Sequence, residues 1–197
     1  MNADLYNRIR KKYGKQSSWA IWDGKDTSVW AGRDYQQIID SGKKLNPNIV
    51  MVGLNPSAKT REKGDPLDNF HDPNNPRVKL SPTTLRNARK LPCVFCGTIY
   101  EGAYMTDIIK DIHIPKSEEV MKHMRAHPKK WKRNMEIFKK ELKFIGAHNP
   151  KIIAFGRKAS EILARFKIEH TRIPHYGIWG GRESYKKEVA KTLPGIV

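Results

Sequence analysis

The chain has 197 residues, enough for one domain or two small ones and enough to bury a core. Thirty-eight Lys and Arg face 20 Asp and Glu, giving a formal net charge of +18, which favours a polyanionic partner, nucleic acid ahead of an anionic membrane surface. No apolar run approaches membrane-spanning length, and the polar N-terminus lacks a signal-peptide core, so an intracellular, cytoplasmic monomer is expected, nucleoid-associated if bacterial.

Residues 1–45 are polar and basic, yet carry Trp19, Trp22 and Trp30. Ser17 to Trp22 and Thr27 to Ala31 read as short extended pieces around an Asp23-Gly24 turn, and Asp34 to Ser41 as a short helix with Asp34 near its start. This stretch reads as an extension packed on a main domain of residues 46–197, its tryptophans serving as core. Ile49 to Leu54 is apolar and uncharged, the pattern of a buried strand. Gly53 permits close backbone approach, and Pro56 removes a donor and stops the strand. Asn55 is thereby delivered at a strand's C-terminal end, the edge of open α/β sheets where ligands bind. Residues 57–82 form a long loop rich in Pro, Asn, Asp and Lys, a length associated with function. Ser81-Pro82 then reads as a cap and first position for a short basic helix to Lys90.

Cys93 and Cys96 follow as Cys-Val-Phe-Cys. They supply half of a four-ligand zinc site, and with Pro92 before and Gly97 after them they read as a turn carrying two reduced thiols. Ala103 to Lys110 reads as a second buried strand ending on polar residues, among them Asp107. Glu118 to Gly146 is helical, restarted at Pro128. Its Met135, Phe138, Leu142 and Ile145 recur at helical spacing among the lysines of residues 129–143. Lys151 to Phe155 is a strand, Gly156 a turn and Arg157 to Phe166 a helix. His170 to Ile173 reads as a short strand and Glu183 to Lys191 as a closing helix. Strands alternating with helices give an α/β, three-layer α/β/α architecture with a central, mostly parallel four-stranded sheet. In that arrangement Asn55, Asp107 and the loop bearing His175 meet at one sheet edge. Gly53-Leu54-Asn55-Pro56 lacks the Gly-x-Gly-x-x-Gly turn of a dinucleotide site, and a P-loop is absent. No cofactor and no metal are expected.

Here the sequence resembles a known family. Gly53-Leu54-Asn55-Pro56-Ser57 is similar to the first motif of the uracil-DNA glycosylase superfamily, in the Asn-containing form of its mismatch-specific subclass. Tyr104 to Lys110 resembles the strand that reads the base, and Asn149 to Ala159 the strand, turn and helix before the last motif. His175-Tyr176-Gly177 falls where that family has its His-containing loop. The four motifs keep the family's order over about residues 48–190.

The resemblance implies a DNA glycosylase that hydrolyses the N-glycosidic bond of a damaged or modified base, the first step of base-excision repair. Asn55 would position the attacking water, and His175 would hydrogen-bond the departing base. Gly53, Leu54, Pro56, Ser57, Tyr176 and Gly177 would shape the base pocket, with Phe70 as the surface on which the flipped base stacks. Ile178 and Trp179 would fill the vacated stack, while Lys59, Arg61, Lys158 and the Lys and Arg of the 129–143 helix would grip phosphates. Two departures stand out. Asp107 replaces the usual base-reading Asn, and an ionised carboxylate only accepts hydrogen bonds where an amide also donates, so either the base edge read is richer in donors or Asp107 is held protonated. His175-Tyr176-Gly177 replaces His-Pro-Ser. The family's iron–sulfur branch needs four cysteines and this chain has two. The alternatives are a catalytically silent nucleic-acid-binding protein of the same fold and an enzyme acting on a free nucleotide, the latter ill-matched to so large a charge.

Overall fold

The computed structural model describes residues 1–22, 34–56, 70, 87, 89–177 and 180–196. A five-stranded sheet runs through the molecule, built from β1 (Ser17–Trp19), β2 (Asn46–Gly53), β3 (Ala103–Asp107), β4 (Lys151–Phe155) and β5 (Thr171–Ile173) in the order β1-β3-β2-β4-β5. β3, β2, β4 and β5 are mutually parallel, and β1 pairs antiparallel with β3. The α/β/α layering matches the sequence reading, but the sheet has five strands where four were expected. The added strand, Ser17–Trp19, falls within the Ser17 to Trp22 piece read as extended, but only its pairing with β3 brings it into the sheet.

Side chains alternate across the pleat, so the central strands β2, β3 and β4 serve two cores. Val50, Val52, Tyr104, Ile152 and Ala154 face one way. They meet the buried residues of α1 (Ala3–Tyr13), α2 (Tyr35–Asp40), α4 (Ser117–Ala126), α5 (Pro128–Phe144) and α6 (Gly156–Arg165). Met51, Met105, Ile153 and Phe155 face the other way, toward α3 (Lys90–Phe95) and α7 (Arg182–Ala190). Burial on both faces is what a parallel sheet requires.

The sequence reading missed α1. Its apolar stripe is only Tyr6, Ile9 and Tyr13 in an otherwise polar segment, and Asn2 caps it by accepting from the Leu5 N–H at 3.0 Å. Asp34 and Gln37 form a reciprocal capping box on α2. Pro128 starts α5 at its first turn, where a missing N–H costs nothing. The Cys93–Cys96 region is helical rather than a turn: Cys93 lies within α3 and Cys96 caps it, because Leu91, Val94 and Phe95 are drawn into the core. Neither cysteine is in a disulfide, and each approaches a carboxylate, Cys93 that of Glu183 at 3.8 Å and Cys96 that of Glu101 at 4.0 Å. Trp19 and Trp22 are core residues. Thr27 to Ala31, Trp30, most of the 57–82 loop and most of the 82–90 helix lie outside the described residues. Among the described residues no helix is long and apolar enough to cross a membrane.

The first described helix after β2, α3, lies on one face of the sheet, and the helix after β4, α6, on the other. Neighbouring parallel strands whose exits diverge open a crevice at their carboxyl ends, and the cleft described next lies there.

Candidate active site

A cleft of about 490 Å3 opens at the carboxyl ends of the strands. Gly53, Leu54 and Asn55 enter it from β2, Asp107 from β3, Phe155 to Lys158 from β4 and α6, and His175 to Gly177 from the loop after β5. Phe70 and Asn87 complete one wall, and Pro115, Ser117 and Glu118 the other. Asn55, Asp107 and His175 are therefore brought together, as are Gly53, Leu54, Phe70, Lys158, Tyr176 and Gly177. Pro56 lies just beyond the cleft, buried. Ser57, Lys59, Arg61, Ile178 and Trp179 lie outside the described residues.

Asn55 is oriented by main chain. Its Nδ2 donates to the carbonyls of Pro56, Ile112 and Ile114 at 3.2, 3.1 and 3.0 Å. Carbonyls only accept, so this end of the side chain must be the amide nitrogen. The carbonyl Oδ1 accepts no hydrogen bond among the described residues, so it is the end left to act on a ligand.

His175 is oriented in the opposite sense. The Gly177 N–H donates to Nδ1 at 2.9 Å, so the proton of a neutral ring resides on Nε2. Burial, and then the charge of Lys90, lower its pKa from 6.5 to about 4, which keeps the ring neutral at physiological pH. Its Nε2–H has no partner among the described residues. The ring stacks on Tyr176 at 4.6 Å, and Tyr176 meets Phe155 edge-on. Gly156 makes room for this packing: its φ is +79°, and a Cβ there would stand 2.9 Å from His175 Cβ.

Lys90 carries a role the sequence did not suggest. It is only 1% exposed, and its Nζ donates to the Tyr176 carbonyl at 2.9 Å, while Asn87 Nδ2 donates to the Gly177 carbonyl at 3.2 Å. The loop bearing His175 is thus pinned from behind. Among 38 Lys and Arg, nothing in the sequence marks Lys90 as a buried one.

Asp107 sits opposite Gly53 in the β2–β3 register and is 4% exposed. A Cβ at position 53 would overlap Asp107 Oδ1 and lie 3.2 Å from Phe70 Cε1. Gly53 therefore lets the carboxylate and the aromatic ring converge on the strand end. Phe70 holds a φ of +77°, a conformation uncommon for a bulky residue, and packs 6.2 Å from the Phe155 ring.

Two helix N-termini, those of α4 and α6, form part of the wall, and neither has a side-chain cap. Their first-turn N–H groups add partial positive charge to the cleft. Lys158 is placed in the wall, but its ammonium is already engaged, 3.3 Å from Glu118 and 3.9 Å from Glu161, with the side chain 14% exposed. Among the described residues no cluster of His, Cys, Asp and Glu is arranged to hold a metal ion.

The cleft thus offers an acceptor and a neutral donor, each oriented by backbone, beside a nearly buried carboxylate and two helix N-termini without side-chain caps. Comparison of the chain with family models, curated proteins and solved structures returns no match.

Proposed function

We propose that the protein is a DNA glycosylase, similar to the uracil-DNA glycosylase superfamily, that hydrolyses the N-glycosidic bond of a damaged or modified base. We further propose that it acts on DNA as an intracellular monomer. The observation that carries this reading is the complementary orientation of Asn55 and His175. One side chain keeps only an acceptor for use and the other only a neutral donor, in a single cleft.

The reaction needs both. As the bond between sugar and base lengthens, positive charge grows on the sugar and negative charge on the base. Asn55 Oδ1 would hold a water by accepting a hydrogen bond from it and aim the water oxygen at the anomeric carbon. His175 Nε2–H would donate to an oxygen of the base as it gathers charge, a preorganised stabilisation of the kind worth about 100- to 1000-fold in rate. The electron pair of the broken bond leaves with the base, the water hydroxyl remains on the sugar, and the released proton neutralises the departing base. The uncapped N-termini of α4 and α6 add favourable potential for the same negative charge. Phe70 offers a face on which a flipped base would stack.

The test is strand cleavage. Labelled oligonucleotides carrying uracil, hypoxanthine, xanthine or an alkylated base are incubated with protein and heated in alkali to break abasic sites. The wild type should cleave at least one, and Asn55→Ala and His175→Ala should each reduce that rate by about 100-fold or more. The second reading, a catalytically silent DNA-binding protein, is favoured by the carboxylate of Asp107 at the base-reading position. It would be supported by salt-sensitive binding with no abasic site formed on any substrate.

A further inference from the structure

The cleft is small and does not account for a net charge of +18. A second concentration of charge arises where α1 meets the end of α5. Tyr13 packs edge-on against Phe144 at 5.4 Å. The Arg8 guanidinium lies 5.3 Å and the Lys12 ammonium 4.4 Å from the Phe144 ring centre. Around this aromatic pivot Arg8, Lys11, Lys12, Lys15, Lys140 and Lys143 are all exposed. The acids nearby are few. Asp4 pairs with Arg8 at 3.5 Å at the start of α1, Glu136 lies one turn before Lys140, and Glu141 is fully buried and already paired with Lys110.

The Tyr13–Gln16 end of this ridge reaches the edge of the sheet at which the cleft opens. Ser17 Oγ donates to the Tyr13 carbonyl at 2.9 Å, and Ser17 is opposite Thr106, the residue before Asp107. Gln16 Nε2 donates to the Lys110 carbonyl at 3.2 Å, three residues past Asp107. The end of α1 is therefore tied to the segment that leaves the cleft.

We propose that the α1–α5 ridge binds the phosphodiester backbone of DNA beyond the base held in the cleft. The inference rests on the DNA reading above and gives the flanking duplex a place to lie. From Arg8 to Lys15 the ridge runs about 10 Å, the axial rise of about three phosphates on one strand. The like charges gathered on it repel one another, and phosphates relieve that repulsion while releasing condensed counterions. An anionic membrane fits less well, because interfacial binding needs an apolar face. Among the described residues the exposed large hydrophobics are Ile39 and Ile99, and neither belongs to α1 or α5.

The experiment compares two triple variants of equal charge. Lys11→Gln/Lys15→Gln/Lys140→Gln removes ridge charges and keeps the Arg8 and Lys12 contacts to Phe144. Lys167→Gln/Lys187→Gln/Lys191→Gln removes exposed charges elsewhere. Binding of a labelled duplex is followed by fluorescence anisotropy over a range of salt, with far-ultraviolet circular dichroism confirming folding. The ridge variant should lower the slope of log K against log salt by about 3, one unit for each phosphate no longer neutralised, and the control should leave it near the wild-type value. Equal slopes for wild type and ridge variant, or an equal fall in both variants, overturn the ridge. So does absence of salt-dependent DNA binding by the wild type, or tighter ridge-dependent binding to phosphatidylserine-containing vesicles. Abasic-site formation is scored separately, so a ridge that binds DNA without excision refutes the enzyme alone, and excision with unchanged slopes refutes the ridge alone.

Discussion

Two clusters of buried polar groups lie on either side of β3, and they are built on opposite principles. On the face of α5, Glu141 Oε1 accepts from Tyr104 at 2.7 Å and from Thr106 at 2.8 Å, and Lys110 Nζ lies 2.6 Å from Oε2. Lys110 also bonds Thr106 Oγ1. Most contacts in this group end on another side chain, Thr106 Oγ1 also reaching a carbonyl, that of Gln16, at 3.5 Å; both charges are almost completely buried, and burial followed by the nearby Glu141 charge holds the Tyr104 hydroxyl well above its usual pKa. In the cleft, by contrast, Asn55 and His175 are gripped by main chain at one atom and present the other. A closed network spends its hydrogen-bonding capacity on itself and can contribute only to stability and uniqueness of the core. An arrangement anchored at one end keeps a directed atom for a ligand.

The sharpest way to break this contrast is through Glu141. Glu141→Ala leaves the Lys110 ammonium buried without its acid and should cost about 3–5 kcal/mol of stability. Because a buried ion pair exchanged for apolar groups of similar volume is near neutral, Glu141→Met/Lys110→Met should recover most of that loss. Urea unfolding of the three proteins decides it. A double variant as unstable as Glu141→Ala would mean that the network does more than fill space.

Next in size is the pH response of the cleft. The unfolded chain takes up a proton at His175 near pH 6.5 and the folded one only near pH 4, so the unfolded state binds more protons between these values. Stability should fall as pH drops through that window, by up to about 3 kcal/mol, and this contribution is complete below it. Lys90→Met removes one cause of the low value and should move the His175 titration, followed by ring-proton NMR, upward toward neutrality. An unmoved titration would show that burial alone keeps the ring neutral.

The smallest expected effect concerns choice of base. Asp107→Asn restores a donor beside Gly53 and should shift preference from bases whose edge offers donors toward those offering an acceptor and a donor, by about tenfold. An identical substrate ranking in both proteins would remove Asp107 from base reading.

Most of the framework was legible because its signals are local. The apolar runs at Val50 to Leu54 and Ile152 to Phe155, the restart at Pro128 and the turn at Gly156 depend on neighbouring residues only. What escaped depends on distant partners. The three residues of β1 form a strand because β3 is beside them, and α1 is helical around a stripe of only three buried side chains. Asn55 was visible as a polar residue at a strand end, but the carbonyls that fix its orientation lie at Ile112 and Ile114, more than fifty residues on. Lys90 was one basic residue among many, and its burial follows from the packing of α3 against α7.

The two outermost strands, β1 and β5, are each three residues long. Long unpaired strand edges invite pairing with other chains, and short ones offer too few hydrogen bonds for another chain to add to the sheet. The N-terminal segment therefore also acts as a guard. Without residues 1–19, β3 would become the margin of the sheet, presenting a fully buried five-residue strand as a template for aggregation.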